Sequence, residues 1–106
     1  HGVKSLDIEK EKIENISISK LIKRYNNQVD LLLIDAEGYD AHIILDLFNK
    51  SEVRPIIIFE YIHIKHKIFK SLIDLFNEKK YFFFAVKENI ICFPAEKKPK
   101  FSFILN

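Results

Sequence analysis

The sequence predicts an α/β fold: three parallel strands with helices between them, plus one antiparallel strand returning in a hairpin. Three observations carry this. Short apolar runs, Leu31–Ile34, Ile56–Phe59 and Tyr81–Val86, alternate with amphipathic stretches, and near-continuous apolar runs of that length read as strands covered on both faces of a parallel sheet. Residues 36–54 lie between Asp35 and Pro55, and 61–80 between Glu60 and Tyr81; a parallel crossover needs a dozen or more residues, usually a helix. Only Lys87-Glu88-Asn89 separates the third run from Ile90–Phe93, so the last two strands pair as a hairpin.

Taken in order, residues 1–12 are polar and charged with no clear period. Ile13, Ile16 and Ile18 suggest a short extended entry. Ser17 or Ser19 can cap a short helix by accepting free backbone N–H groups. Leu21, Ile22 and Tyr25 form its apolar stripe, and Asn26-Asn27 stops it. The first strand, Val29–Asp35, leads into a tight exit at Glu37-Gly38. From Tyr39 to Asn49 the apolar residues recur at helical spacing. Arg54-Pro55 ends that connection, and proline is tolerated at the first position of the strand Ile56–Glu60. A second helix over about residues 64–79 turns Ile64, Ile68, Leu72, Leu75 and Phe76 inward and its lysines outward. Asn89, which tolerates positive φ, closes the hairpin turn. Residues 94–106 form a tail with Lys97-Lys98 and a small apolar end. Right-handed crossovers place the helices on one face where strand order runs monotonically. If the hairpin strand inserts between the second and third strands, the last crossover skips one position.

The chain has 106 residues, and its 48% hydrophobic and 30% charged composition is that of one globular domain at most. Seventeen basic and fifteen acidic residues leave a net charge of +2, too balanced to point to nucleic acid or an anionic membrane. Cys92 is the single cysteine, which excludes an internal disulfide framework and a cysteine-based zinc site. No apolar run approaches the ~18 residues of a membrane span. With no secretory signal visible, cytoplasm is the expected compartment. The only glycines are Gly2 and Gly38, so these residues hold no glycine-rich nucleotide loop. The chain opens on His1 and contains no methionine; a stretch of a longer or processed chain is the expectation.

The candidate site is Asp35-Ala36-Glu37-Gly38 with Glu60 and His63. Asp35 and Glu60 each end a buried strand. In a parallel sheet both ends point to one rim, and ligands of open α/β sheets bind outside that rim. A carboxylate directly after buried apolar residues is costly unless it is paired, hydrogen-bonded or wet. The alternative for Asp35 is that it accepts N–H groups at the next helix start. Gly38 supplies backbone freedom for the turn. Asp40 reads as a first-turn acid that suits the helix dipole. His63, three residues after Glu60, has the chemistry of a general base or a metal ligand. His42 reads as structural, His66 as solvent-facing and Cys92 as a small buried hydrophobe. The Tyr81–Phe84 aromatics read as core rather than as a base-stacking platform.

The stretch Val29-Asp30-Leu31-Leu32-Leu33-Ile34-Asp35-Ala36-Glu37-Gly38 resembles the FkbM-like family of S-adenosylmethionine-dependent methyltransferases, whose hallmark is a hydrophobic strand ending in I-D-x-E-G. Arg54-Pro55-Ile56-Ile57-Ile58-Phe59-Glu60, with His63 after it, is similar to the family's next strand. The resemblance spans about residues 13–93, with Leu33 where the family usually carries lysine. It implies the C-terminal half of a Rossmann-like class I methyltransferase sheet, its antiparallel seventh strand inserted between the fifth and sixth. The first three strands and the glycine-rich cofactor loop would lie outside it. It implies S-adenosylmethionine as cofactor, with Asp35, Ala36, Glu37 and Gly38 at its site, and methyl transfer to a hydroxyl of a sugar, glycan or small metabolite. Asp35, Glu60 and His63 would be catalytic, with no metal assigned, although oxygen ligands of this kind suit Mg²⁺. The 106 residues alone are expected to be inactive. Two other readings compete. One is a metal-dependent nuclease or phosphoesterase: Asp35-x-Glu37 on a strand end matches the first motif of two-metal exonucleases, but the further aspartates those need could come only from Asp40, Asp46 and Asp74, whose helical context argues against convergence. The other is a non-catalytic scaffold that self-associates through an exposed sheet edge at its first strand.

Overall fold

The computed structural model describes residues 5–9, 18–24 and 28–97. The elements in order are β1 (Ser5–Glu9), α1 (Ile18–Arg24), β2 (Leu31–Asp35), α2 (Asp40–Lys50), β3 (Ile56–Glu60), α3 (His66–Glu78), β4 (Tyr81–Val86) and β5 (Asn89–Pro94). They form one five-stranded sheet in the order β1-β2-β3-β5-β4. β1, β2 and β3 run parallel, and β5 pairs antiparallel with both β3 and β4. The hairpin strand does insert between β3 and β4, as the family resemblance implies.

The strand count is five, not four. Ser5–Glu9 pairs along β2, with Leu6 opposite Leu32. Leu6 is buried between exposed Ser5 and Asp7, so the period of two is present there, but on too few apolar residues to stand out from the charged flanks. β2 is therefore not an edge strand: it has β1 on one side and β3 on the other. The self-association reading took β2 as the open edge, and β1 removes that premise. Ile18, expected in an extended entry, begins α1 and is buried with Ile22. Ile13, Ile16, Ser17, Tyr25, Asn26-Asn27 and the apolar end of the tail lie outside the described residues.

Burial alternates along the strands. Leu32, Ile34, Ile57, Phe59, Tyr81, Ile90 and Cys92 are buried, while Leu31, Leu33, Ile56, Ile58, Phe84 and Ile91 are half-buried. Ile43, Ile44 and Leu47 of α2, and Leu72 and Phe76 of α3, complete the buried core. Phe76 is its hub, with ring centroids 6.1 Å from Phe48, 6.0 Å from Phe59, 6.1 Å from Tyr81 and 5.9 Å from Phe83. The expectation of strands covered on both faces is corrected in part: among the described residues the main buried cluster lies on one face, while on the other Phe93 is buried against Phe82 and Phe84. Hydrophobicity alone cannot report this, because an apolar residue on the open face reads the same as one in the core.

The ends of the elements differ little from expectation, for identifiable reasons. α3 begins at His66, because Ile64 belongs to the turn in which its N–H bonds to the Tyr61 carbonyl. The hairpin turn is Lys87-Glu88, with Asn89 already in β5. Its positive φ falls on Lys87 (56°), not on Asn89. At the far end of the sheet, Arg54 acts as a structural clamp. Its Nε and Nη2 donate to Glu96 at 2.8 and 3.0 Å, its Nη1 donates to the Lys79 carbonyl at 2.7 Å, and the guanidinium stands 5.1 Å from the Tyr81 ring centroid. Glu96 beside this guanidinium is held below the usual carboxylate range. The Tyr81 hydroxyl donates to the Pro55 carbonyl at 2.6 Å. The Arg-Pro pair of the second motif thus serves packing at the opposite end from the acidic rim. Burial pushes the Cys92 thiol up, as suits an inert core residue.

Candidate active site

β2 and β3 pair in register through Ile34 and Phe59. One residue further, Asp35 and Glu60 leave the sheet side by side at the same carboxyl end. Both line a cleft of about 390 Å³ together with Asp7, Leu33, Ile34, Ile58 and Asn89. Asp35 is exposed and Glu60 half-buried. Among the described residues that line it, three are carboxylates and none is lysine or arginine. Such a site attracts a cationic group and disfavours an anion.

Ala36, buried, begins the turn that leaves β2, and its carbonyl accepts the Tyr39 N–H at 3.0 Å. The two central residues of this turn both have positive φ: Glu37 at 49° and Gly38 at 96°. Glycine carries such a conformation without a Cβ penalty. A Cβ at Gly38 would sit 3.5 Å from His63 Cβ, an ordinary contact. Gly38→Ala is therefore expected to cost backbone strain rather than a clash, about 1–2 kcal/mol. A lower urea midpoint at unchanged slope is the measurement, and an unchanged midpoint contradicts it.

The close approach of Gly38 brings the β2 exit against the β3 exit, where His63 sits. His63 Nε2 lies 3.1 Å from Glu60 Oε1, and the histidine is exposed. Glu60 and His63 can therefore share a proton. The structure brings Asp35 and Glu60 to one cleft and joins His63 to Glu60. Glu37 is exposed on the turn between them. Tyr39, also exposed, meets the His42 ring at a tilt, with centroids 4.9 Å apart.

Sequence reasoning missed three residues here. Asp7 lies on the unrecognised strand. Asn89, assigned to the turn, enters the cleft as the first residue of β5. Asp40, read as a first-turn acid, is 1% exposed, and its carboxylate accepts two N–H groups: Oδ1 from Ala36 at 3.2 Å and Oδ2 from Glu60 at 3.3 Å. The signal available in the sequence was an acid at the first helical position directly after the glycine turn. Burial raises its pKa, opposed by the backbone N–H groups of Glu60, Ala36, Asp40 and Gly38. The folded chain therefore binds that proton more tightly than the unfolded one. Asp40's contribution to stability is greatest at acid pH and declines as pH rises through its raised pKa.

Among the described residues, no three His, Cys, Asp or Glu side chains converge to hold a metal ion. Asp46 pairs with Lys50 at 2.8 Å along α2, and Asp74 is exposed on α3. The aspartates that a two-metal nuclease would gather are thus dispersed. No helix of the described residues is long and apolar enough to cross a membrane.

The described residues thus form a mixed α/β sheet with an inserted antiparallel hairpin strand and acidic strand tips at one rim, the place where ligands of open α/β sheets bind. The family model of the methyltransferase FkbM domain matches residues 2–83, well over half of the chain, and the chain belongs to that family. The match takes in β1 to β3 and reaches into β4. Comparison with curated proteins and with solved structures gave no match.

Proposed function

We propose that this chain forms part of an S-adenosylmethionine-dependent methyltransferase that methylates a hydroxyl oxygen of a sugar or small metabolite. The observation that carries the reading is the cleft shared by Asp35 and Glu60 at the carboxyl end of a sheet whose family is methyltransferase. S-adenosylmethionine, when bound, supplies an electrophilic methyl group on a positively charged sulfur. The carboxylates that line the cleft, with no lysine or arginine among its described lining residues, suit such a cation.

Asp35, exposed at the tip of β2, would hold the positive end of the cofactor by charge. Asp7 and Glu60 add to the same field. Glu60 would take up the proton that the acceptor hydroxyl must lose, and His63, 3.1 Å away, would carry it on to solvent. Leu33 and Ile58 give the cleft an apolar floor.

The test is a titration of the full-length protein with S-adenosylhomocysteine, followed by methyl-labelled cofactor with a panel of sugars and hydroxylated metabolites. Saturable binding and label in an ether product are expected. A full-length protein that binds neither cofactor form overturns the assignment.

A further inference from the structure

We propose that Asp40 is the positioning residue of this site, a buried strap that fixes the spacing between the two acidic strand tips. The proposal deepens the methyltransferase reading and rests on it for its functional half. Asp40 is the buried charged residue among the described residues, and it lies in neither motif that defines the cleft. Its Oδ1 accepts from Ala36, the residue after Asp35, and its Oδ2 accepts from the backbone N–H of Glu60. One side chain thus grips the peptide units that carry both carboxylates.

A first-turn acid serving the helix dipole alone would have no reason to reach a strand twenty residues on. Here each oxygen serves a different strand exit, and such charge-assisted bonds are the stronger kind. The Gly38 turn lays the same two exits together from the other side, against His63. Asp35 and Glu60 face a cleft open to water, and Asp40 ties the two strand ends together behind it. Asparagine is not an equivalent replacement. It offers a single acceptor oxygen, so its amide NH₂ would face one of the two N–H donors.

Asp40→Asn in the full-length protein tests both halves. Amide hydrogen exchange at Ala36 and Glu60 is expected to speed roughly tenfold or more, the scale of one charge-assisted hydrogen bond, while amides around Phe76 keep their protection. S-adenosylhomocysteine affinity is expected to fall by a similar factor. Unchanged exchange at both amides overturns the strap. Faster exchange with undiminished affinity reduces Asp40 to a purely structural role and overturns the positioning claim. Failure of the wild-type protein to bind S-adenosylhomocysteine overturns the methyltransferase reading and the positioning claim with it, whereas the strap is still judged by the amides. If the variant does not fold, the wild-type protein decides. Scalar couplings across the hydrogen bonds from the Ala36 and Glu60 nitrogens to the Asp40 carboxyl carbon are expected, and their absence refutes the strap.

Discussion

Asp35→Asn is expected to lower methyl transfer by the full-length protein about a hundredfold, with no measurable change in melting temperature. Asp35 is exposed at the end of β2, so the near-isosteric amide disturbs no packing. What is lost is one negative charge in a wall whose described residues include two other carboxylates and no lysine or arginine. Removing one preorganised electrostatic partner of a reacting group commonly costs a factor of 10² to 10³. Side-by-side rate and thermal-melt measurements check this. An unchanged rate removes Asp35 from the site, and a large drop in melting temperature assigns it to the fold instead.

The largest effect on stability is expected from Phe76→Ala. Phe76 is fully buried, and its ring meets those of Phe48, Phe59, Tyr81 and Phe83. The contacts join α2, α3, β3 and β4, so no single element can relax to fill the space. Truncation of a buried phenylalanine costs about 3–5 kcal/mol from lost transfer energy and the cavity left behind. A domain of ordinary stability holds roughly 5–15 kcal/mol, so the variant stands near the edge of folding at 37 °C. Urea unfolding measures it, and a loss under about 1 kcal/mol would show that the aromatic cluster repacks.

The parts of this fold that were legible in the sequence are those where a pattern has one physical meaning. The gap lengths before Ile56 and Tyr81 demand crossovers, and the gap before Ile90 demands a hairpin; the sheet shows all of these. The paired acids at the rim followed from strand direction alone, and the cleft contains both. β1 was lost because Ser5–Glu9 carries its alternation on very few apolar residues among charged neighbours. The one-sided core was hidden because Leu31 and Leu33 are as apolar as Leu32, and only the pairing of strands and helices decides which side meets α2. Asp40 was misread for a different reason. Its position announces a helix start, whereas its second partner, Glu60, becomes visible only when β3 is laid beside β2.

The placement of β5 between β3 and β4 sets the order in which the sheet can close. β4 touches the remainder of the sheet only through β5, which is synthesised after it. As the polypeptide emerges from a ribosome, β1, β2 and β3 can assemble in turn, each against its predecessor. Tyr81–Val86 must then wait without a hydrogen-bonding neighbour until the Lys87-Glu88 turn reverses the backbone. A nascent chain halted before Asn89 would expose the flank of β3 and leave an aromatic strand unaccommodated, so completion of this half of the molecule is withheld until Pro94 has been made.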